Sequence, residues 1–410
     1  MEQFFNNHLT LMRLRQGLLA PYLNPFAKQL SEQGYALFSG RIQIQLISDF
    51  GLWLKQNHIA VSEITTEHTK KFLLYRVKKQ CIGRGDCAAL KSFLNLLRHE
   101  GVIAEEVVLL PTLAERFTEE FVQYLQKERG LSIATITYYR WIVIRFLTNY
   151  FSDTAMDLSS LCASDVVGFV QKQAVVLHVK TSKQMTAALR SFLHYARYQG
   201  YIDKDLAAAV PTVASWSMAS IPRSLPVDQV ERVVSSCNRQ TAAGRRDYAI
   251  LLLLARLGLR AGEIVSLALD DIDWEAGQIT VHGKSGHRPK LPLPTHVGEA
   301  LAAYLRDGRP RTSCRAVFLR EKAPIRGFKG PSAVSCIVMR ALARAGIDAS
   351  RKGAHQFRHG LATELLRQGA SLCEIGELLG HRCPDTTAIY AKVDLVSLRT
   401  IALPWPGGAQ

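Results

Sequence analysis

Two stretches of this chain nearly repeat each other, which limits its N-terminal half to tandem helical modules. Ala89-Leu90-Lys91-Ser92-Phe93-Leu94, followed by Arg98, Gly101 and Ile103, returns as Ala188-Leu189-Arg190-Ser191-Phe192-Leu193, followed by Arg197, Gly200 and Ile202, at a constant offset. Earlier anchors return at slightly smaller offsets: Phe50 as Phe146, Ile64 as Leu161 and Phe72 as Phe169. Loop-length differences between duplicated units produce such drift. Apolar residues keep helical spacing here and strand signals are scarce. Two units, over residues 25–108 and 113–208, follow from this pattern. The second opens with helices in FTEEFVQYLQKER and SIATITYYRWIVIRFLTNYF. Chance similarity between amphipathic helices is the alternative, and the constant offset favours duplication.

A chain of 410 residues exceeds what one hydrophobic core organises, so more than one domain is expected. PTVASWSMASIPRSLP, from Pro211 to Pro226, is punctuated by proline and reads as a linker. The expected organisation is 1–110, an additional helical module; 111–210, a second; 211–226, the linker; and 227–410, a C-terminal domain.

That last domain reads as helix, hairpin, then helices. Arg245 to Arg256 is strongly apolar (YAILLLLAR) and reads as a buried helix; Gly258 caps it, and Arg260 opens the next helix, AGEIVSLAL. QITVHGK and PKLPLP alternate around Gly283 and Gly286 as a hairpin with Lys284 near its tip. Then comes HQFRHGLATELLRQGASLCEIGELLGHRCPDTTAIY, whose two histidines, arginine and tyrosine stand at spacings that packing does not demand. His355 and Arg358 lie one helical turn apart and share a face. Gly380 ends a helix just before His381, and Pro384 to Thr387 start a short one leading to Tyr390. Arginine holds anionic oxygens in a planar fork, histidine moves or shares a proton, and tyrosine supplies a nucleophilic oxygen. Together they suit phosphoryl transfer at a phosphodiester without a metal.

These residues resemble the signature of the tyrosine recombinases, the phage-integrase-like site-specific DNA recombinases. That signature has His-x-x-Arg, then Leu-Gly-His, then a tyrosine followed three residues on by an apolar residue, here Val393. The family's upstream arginine matches Arg260 in Gly258-Leu259-Arg260, with Glu263 three residues later, and its hairpin lysine matches Lys284. The five elements stand in family order over residues 225–400. Gly360 departs from the family, which often has Thr after Arg-His; the change removes a hydroxyl and leaves the named roles untouched.

The resemblance implies a multidomain, mainly α protein. Helical SAM-like core-binding modules would precede an α+β catalytic domain of the DNA breaking-rejoining type with a small antiparallel sheet. It implies a recombinase or integrase working through a 3′-phosphotyrosyl intermediate, in integration or transposition of a mobile element. Tyr390 would be the nucleophile, Arg260 and Arg358 would neutralise the nonbridging oxygens, and Lys284 would protonate the leaving 5′-oxygen. His355 would assist proton handling, His381 would hydrogen-bond the phosphate, and Glu263 would orient its neighbours. Residues 111–210 resemble the family's core-binding domain. There Thr135, Thr137, Tyr138, Tyr139 and Arg140, with Thr181, Ser182, Lys183 and Arg190, are candidate DNA contacts, because hydroxyls and arginine dominate phosphate contacts. The module over 1–110 exceeds what a two-domain member needs. Implied partners are double-stranded DNA, a homotetramer on paired sites formed through the apolar tail AKVDLVSLRTIALPWP, and other recombinases of the same element.

Composition agrees. A formal net charge of +16 and a pI near 9.6 favour a polyanionic partner, although a basic membrane-surface protein would share them. The longest apolar run, Ala249 to Ala255, is too short to cross a bilayer, and MEQFFNNHLTLMRLRQG lacks a signal-peptide pattern, so a cytoplasmic protein is expected. No Walker-type glycine loop implies a nucleotide cofactor. His282 and His287 flank Lys284 without a third ligand and read as phosphate contacts, so no metal is expected. The eight cysteines include no Cys-x-x-Cys pair, have mostly apolar neighbours in sequence, and read as reduced, buried thiols. A type IB topoisomerase and a non-catalytic DNA-binding descendant remain the rival readings. The Leu-Gly-His and Tyr-x-x-Val spacing favours the recombinase over the first, and the full residue set favours it over the second.

Overall fold

The computed structural model describes residues 1–79, 83, 85–105, 111–151, 156–214, 224–283, 286, 288–349, 353–381 and 383–393. They are mainly helical, with one small antiparallel sheet. The chain divides into two compact units, Met1–Glu105 with Ser220–Gln410, and Glu106–Ala219.

The N-terminal module consists of α1 (His8–Arg15), α2 (Ala20–Glu32), α3 (Leu37–Gln56), α4 (Thr66–Lys79) and α5 (Asp86–His99), with a 3-10 turn at Val61–Glu63. Its core is its own, running from Phe4 to Ile103. The module shares its unit with the C-terminal domain, and the turn after α2 touches that domain. There the amide of Ile325 donates to the carbonyl of Gln33 at 2.8 Å. The next residue, Gly34, has φ +76°, and a Cβ on it would stand 2.6 Å from Cγ1 of Ile325. Glycine therefore meets both demands at this turn.

The second unit consists of α6 (Leu113–Lys127), α7 (Ile133–Tyr150), α8 (Ala163–Ala174) and α9 (Val179–Tyr198), with a 3-10 turn at Leu158–Ser160. Thr112 and Glu115 form a capping box on α6, and the Ser132 hydroxyl caps α7, which is why the chain breaks into helices there. Two ring contacts recur at similar distances inside the two modules. Phe26 and Phe93 meet edge-on at 5.3 Å and 83°, and Phe121 and Phe192 meet edge-on at 5.4 Å and 78°. Phe50 lies 5.1 Å from Phe72, and Phe146 lies 5.1 Å from Phe169.

The C-terminal domain begins with α10 (Val227–Ser235), α11 (Ala242–Arg256) and α12 (Ala261–Ser266). Helix α11 starts at Ala242, three residues before the expected start at Arg245, because the Thr241 hydroxyl accepts from the Gly244 amide and caps it. Strands β1 (Ile272–Asp273), β2 (Gln278–Thr280) and β3 (Lys290–Pro292) follow in that order across the sheet, all antiparallel. Ile279 pairs with Ile272 on one side and Leu291 on the other. The hairpin of the sequence reading is β2–β3, shorter than its alternating residues. β1 went unread because two residues are too few to show alternation. Helices α13 (Thr295–Asp307), α14 (Ser332–Arg344), α15 (His355–Arg367), α16 (Leu372–Leu378) and α17 (Pro384–Ala388) complete the domain. Its core runs from Leu225 to Phe357 around α11, and a satellite cluster holds Ala362, Ile375, Leu379 and Tyr390.

One expectation is overturned. Of the cysteines described, Cys237 is buried, Cys162 and Cys314 are half-buried, and Cys87, Cys336, Cys373 and Cys383 are exposed, all as free thiols. Apolar neighbours in sequence misled the reading, because in a helix adjacent residues point to different faces. Cys87 and Cys373 stand in the first turns of α5 and α16, where the outer face meets solvent.

Candidate active site

The turn Gly258-Leu259-Arg260 forms the floor of a cleft in the C-terminal domain. Helix α11 ends at Arg256, and Gly258 turns the chain with φ +59°. A Cβ at Gly258 would stand 2.8 Å from Leu379 Cδ2 and 3.1 Å from Leu361 Cδ2, so glycine is needed for space as well as for conformation. Arg260 then caps α12 and is held by Glu263, whose carboxylate accepts from the Arg260 amide at 2.7 Å and from Nη1 at 2.8 Å. Glu263 is 8% exposed, so a nearly buried carboxylate fixes the half-exposed guanidinium.

Helix α15 carries the facing groups. Arg358 is 5% exposed and donates through Nη1 to the Gly258 carbonyl at 2.7 Å and through Nη2 to the Leu379 carbonyl. Among the described residues, no carboxylate stands within ion-pair distance of it. Burial, then the charge of Arg260, lowers its pKa to about 10. Arg358 therefore stays cationic at neutral pH, and a bound anion would relieve the strain between the two arginines. His355, one turn earlier, is held below its ordinary pKa by desolvation and by Arg358 and Arg260.

Arg260, Glu263, His355 and Arg358 line one cavity of about 540 Å³, together with His282, Gly283, Pro331 and the α16 end at Leu378–Gly380. His282 reaches Asp271 at 2.7 Å, a pairing that sequence alone did not suggest. Lys284 lies outside the described residues, as do Ser285 and His287; Gly283, which precedes Lys284, lines the cavity. Among the described residues no group of three or more His, Cys, Asp or Glu side chains is placed to hold a metal ion.

His381 and Tyr390 stand beside the cleft without lining it. Gly380, at φ +60°, ends α16, and the His381 amide bonds back to the Gly376 carbonyl at 2.8 Å, as the sequence led us to expect. His381 Nδ1 meets the Thr387 hydroxyl at 2.7 Å. Burial and then Arg358 lower its pKa to about 4, so this imidazole is neutral at physiological pH. Tyr390, on the 3-10 turn Ile389–Val393, is 1% exposed. Its hydroxyl lies 2.9 Å from His359 Nδ1. Burial raises the phenol's pKa, while Arg358 and Arg260 pull it down. The sequence reading passed over His359, although it stands four residues after His355 on one helix face.

In the second unit the candidate contacts gather at the starts of α7 and α9, which the Tyr138 hydroxyl joins by donating to the Thr181 carbonyl at 3.2 Å. Thr135 shares its hydroxyl with Ser132 at 2.9 Å, and Thr137 donates to the Ile133 carbonyl at 2.8 Å. Tyr139 is half-buried, Lys183 is exposed, and Arg140 lies 3.8 Å from Glu119. Ser182 is 2% exposed, its hydroxyl donating to the carbonyl of His178, the N-cap residue of α9. Arg190 donates to the carbonyls of Val210 and Pro211 at 2.9 and 3.1 Å, tying down the chain that follows α9.

Known proteins resemble this chain in sequence and in fold. Residues 223–395 match the phage integrase family, and residues 118–200 match the phage integrase, N-terminal SAM-like domain. The chain is 53% identical to the protein named integrase/recombinase y4rA of Sinorhizobium fredii (strain NBRC 101917 / NGR234), with all of both chains covered. It is 31% identical to tyrosine recombinase XerD of Listeria monocytogenes serotype 4b, over 69% of this chain and 96% of that one. The fold is similar to that of the XerH site-specific recombinase bound to palindromic difH substrate in a post-cleavage complex. The TM-score is 0.55 at 19% identity, covering 81% of this chain and 93% of that one. With the relatives matched end to end and an arginine-lined cleft beside a buried tyrosine, the chain belongs to the phage integrase family of tyrosine recombinases.

Proposed function

We propose that this protein cuts and rejoins double-stranded DNA at specific sites through a 3′-phosphotyrosyl intermediate on Tyr390, in integration or transposition of a mobile element. The observation that most supports this is the joint presence of Arg260, His355 and Arg358 in one cleft, with Tyr390 packed on the same helix as Arg358. Two guanidiniums compensate the charge that builds on the nonbridging oxygens of a phosphoryl transition state. Arg260 is aimed by Glu263, and Arg358 by the Gly258 and Leu379 carbonyls. When Thr387 donates to His381 Nδ1, the other ring nitrogen carries the proton and serves as a phosphate donor. His355 assists proton handling from the cleft wall. Lys284, beside the cleft-lining Gly283, would protonate the leaving 5′-oxygen. The phosphotyrosyl link retains the energy of the phosphodiester, so resealing needs no nucleotide.

The adjoining starts of α7 and α9 would grip the backbone, with Thr135, Thr137, Tyr139, Arg140, Thr181 and Lys183 at or near two helix N-termini. Arg190 would help by fixing the segment that leaves this unit. The ring pairs shared by the two modules support reading residues 1–110 as a duplicate of 111–210. Recombination joins four strand ends, so a homotetramer on paired sites is proposed. The tail that would link its subunits lies outside the described residues from 394 onward. Other recombinases of the same element are proposed partners. No helix among the described residues is long and apolar enough to cross a membrane; a cytoplasmic location is part of the proposal.

The test is to incubate the protein with random genomic fragments bearing nicks, so that cleavage releases a short strand and traps the adduct. SDS-resistant protein–DNA adducts are then isolated and sequenced. Recurrent sequences at the junction support the reading, and an absence of adducts overturns it.

A further inference from the structure

The phenol of Tyr390 must lose its proton to attack phosphorus, and in water its pKa near 10 leaves about one molecule in a thousand ionised at neutral pH. Burial makes this harder in the folded protein. A base in contact with the hydroxyl is therefore needed. Four imidazoles stand near the cleft, of which His282 is held by Asp271 at 2.7 Å. His355 lines its wall, and His381 turns Nδ1 to Thr387. His359 places Nδ1 2.9 Å from Tyr390 Oη, with the two rings 5.6 Å apart and inclined at 59°. His359 directly follows Arg358 on α15, so the helix that carries the buried guanidinium also carries the group touching the tyrosine. Among the described residues, the titratable or charged groups around the pair include His355 and Arg358 on α15, Arg260 at the start of α12, and His381 after α16.

We propose that His359 positions the Tyr390 hydroxyl and accepts its proton through Nδ1 during strand cleavage. The proposal rests on the function proposed above and adds a base to it. As the Oη–P bond forms, the Oη–H bond breaks and its proton passes to Nδ1 of neutral His359. The bond from phosphorus to the 5′-oxygen breaks, and that oxygen takes a proton from the separate acid at the hairpin. On rejoining, the 5′-hydroxyl returns its proton to the hairpin group as its oxygen bonds to phosphorus, and the imidazolium returns its proton to Oη as the Oη–P bond breaks.

The experiment uses full-length protein and a pool of nicked duplexes of randomised sequence, enriched beforehand for members that form SDS-resistant adducts with the wild-type chain. Single-turnover adduct formation is followed from pH 6 to 10 for wild type, His359→Asn, His359→Phe and His359→Ala, with Tyr390→Phe as the blank. His359→Phe is expected to slow adduct formation at neutral pH by about 100-fold or more, with retention of the pool on the protein unchanged. Its rate should climb about tenfold per pH unit, where wild type levels off, because hydroxide then removes the proton. Added imidazole should restore part of the rate to His359→Ala, and a merely structural histidine would give neither response. His359→Asn keeps a hydrogen-bond acceptor without a usable base and should fold yet remain slow, so it carries the test if the bulkier ring disrupts packing. Rates of His359→Phe or His359→Asn within threefold of wild type, or above it, overturn the role of His359 alone. Failure of wild type to form any adduct overturns the function proposed above, and this inference with it.

Discussion

The Gly258 carbonyl accepts a 2.7 Å hydrogen bond from Nη1 of Arg358, one hundred residues later in the chain. Gly258 turns the chain toward Arg260, so this bond sets the distance between the cleft's two guanidiniums. Both sides of it depend on the smallest residue: φ is +59°, and a Cβ would press on Leu379 and Leu361.

Replacing Gly258 with Ala should therefore weaken the fold and the site together. A left-handed conformation costs an L-residue about 1–2 kcal/mol, and the forced shift of two leucine side chains adds to this. Denaturant unfolding should show a loss of about 2 kcal/mol or more, with adduct formation reduced further because Arg358 is displaced. Stability equal to wild type would show that the turn relaxes without strain.

How much of this was readable beforehand differs from residue to residue. Helix α15 with His355 and Arg358 on one face, the Gly380 stop before His381, and the short helix leading to Tyr390 were legible because spacing and capping are local rules. The same holds for Gly258 ending α11 and Glu263 returning to Arg260. The bond between His359 and Tyr390 was not legible. It joins residues 31 apart across a packed cluster, and no periodicity reports such a contact. His282 with Asp271 belongs to the same class. The cysteines failed for the opposite reason: neighbours in sequence were used to judge an orientation that helix phase decides.

Tyr390→Phe should remove adduct formation altogether while leaving DNA retention within about twofold of wild type. The substitution deletes one buried hydrogen bond, at a cost of about 1 kcal/mol, and no ring contact. An SDS-resistant adduct from the Phe variant would reassign the nucleophile.

Acid should destabilise the free protein through His381. Its folded pKa is about 4, against about 6.5 in an unfolded chain, so the unfolded state binds more protons between those values. Above pH 6.5 both states are neutral and the group contributes nothing. Stability then falls as pH drops from about 6.5 to 4, by about 1–2 kcal/mol after discounting for partial solvation. Urea unfolding of wild type and His381→Asn across that range measures the difference. Parallel pH dependences in the two proteins would remove His381 as the cause.

Removing residues 1–105 should leave a protein that still folds and still forms adducts. The hydrophobic cluster of the N-terminal module contains nothing beyond Ile103, and the main cluster of the C-terminal domain contains nothing before Leu225. The two share one contact unit, yet neither completes the other's core. Among the contacts the deletion breaks are the bond between the Ile325 amide and the Gln33 carbonyl and the packing of Ile325 on the turn at Gly34. At that seam the Ile325 amide finds a water acceptor in place of the lost carbonyl, so the cost there is small. A cooperative thermal transition within about 5 °C of the full-length protein is expected, with adduct formation retained. Recombination between two captured sites should fall if the module helps choose or pair them. Aggregation of the truncated chain, or loss of its cooperative transition, would show instead that the C-terminal domain needs the N-terminal module to fold.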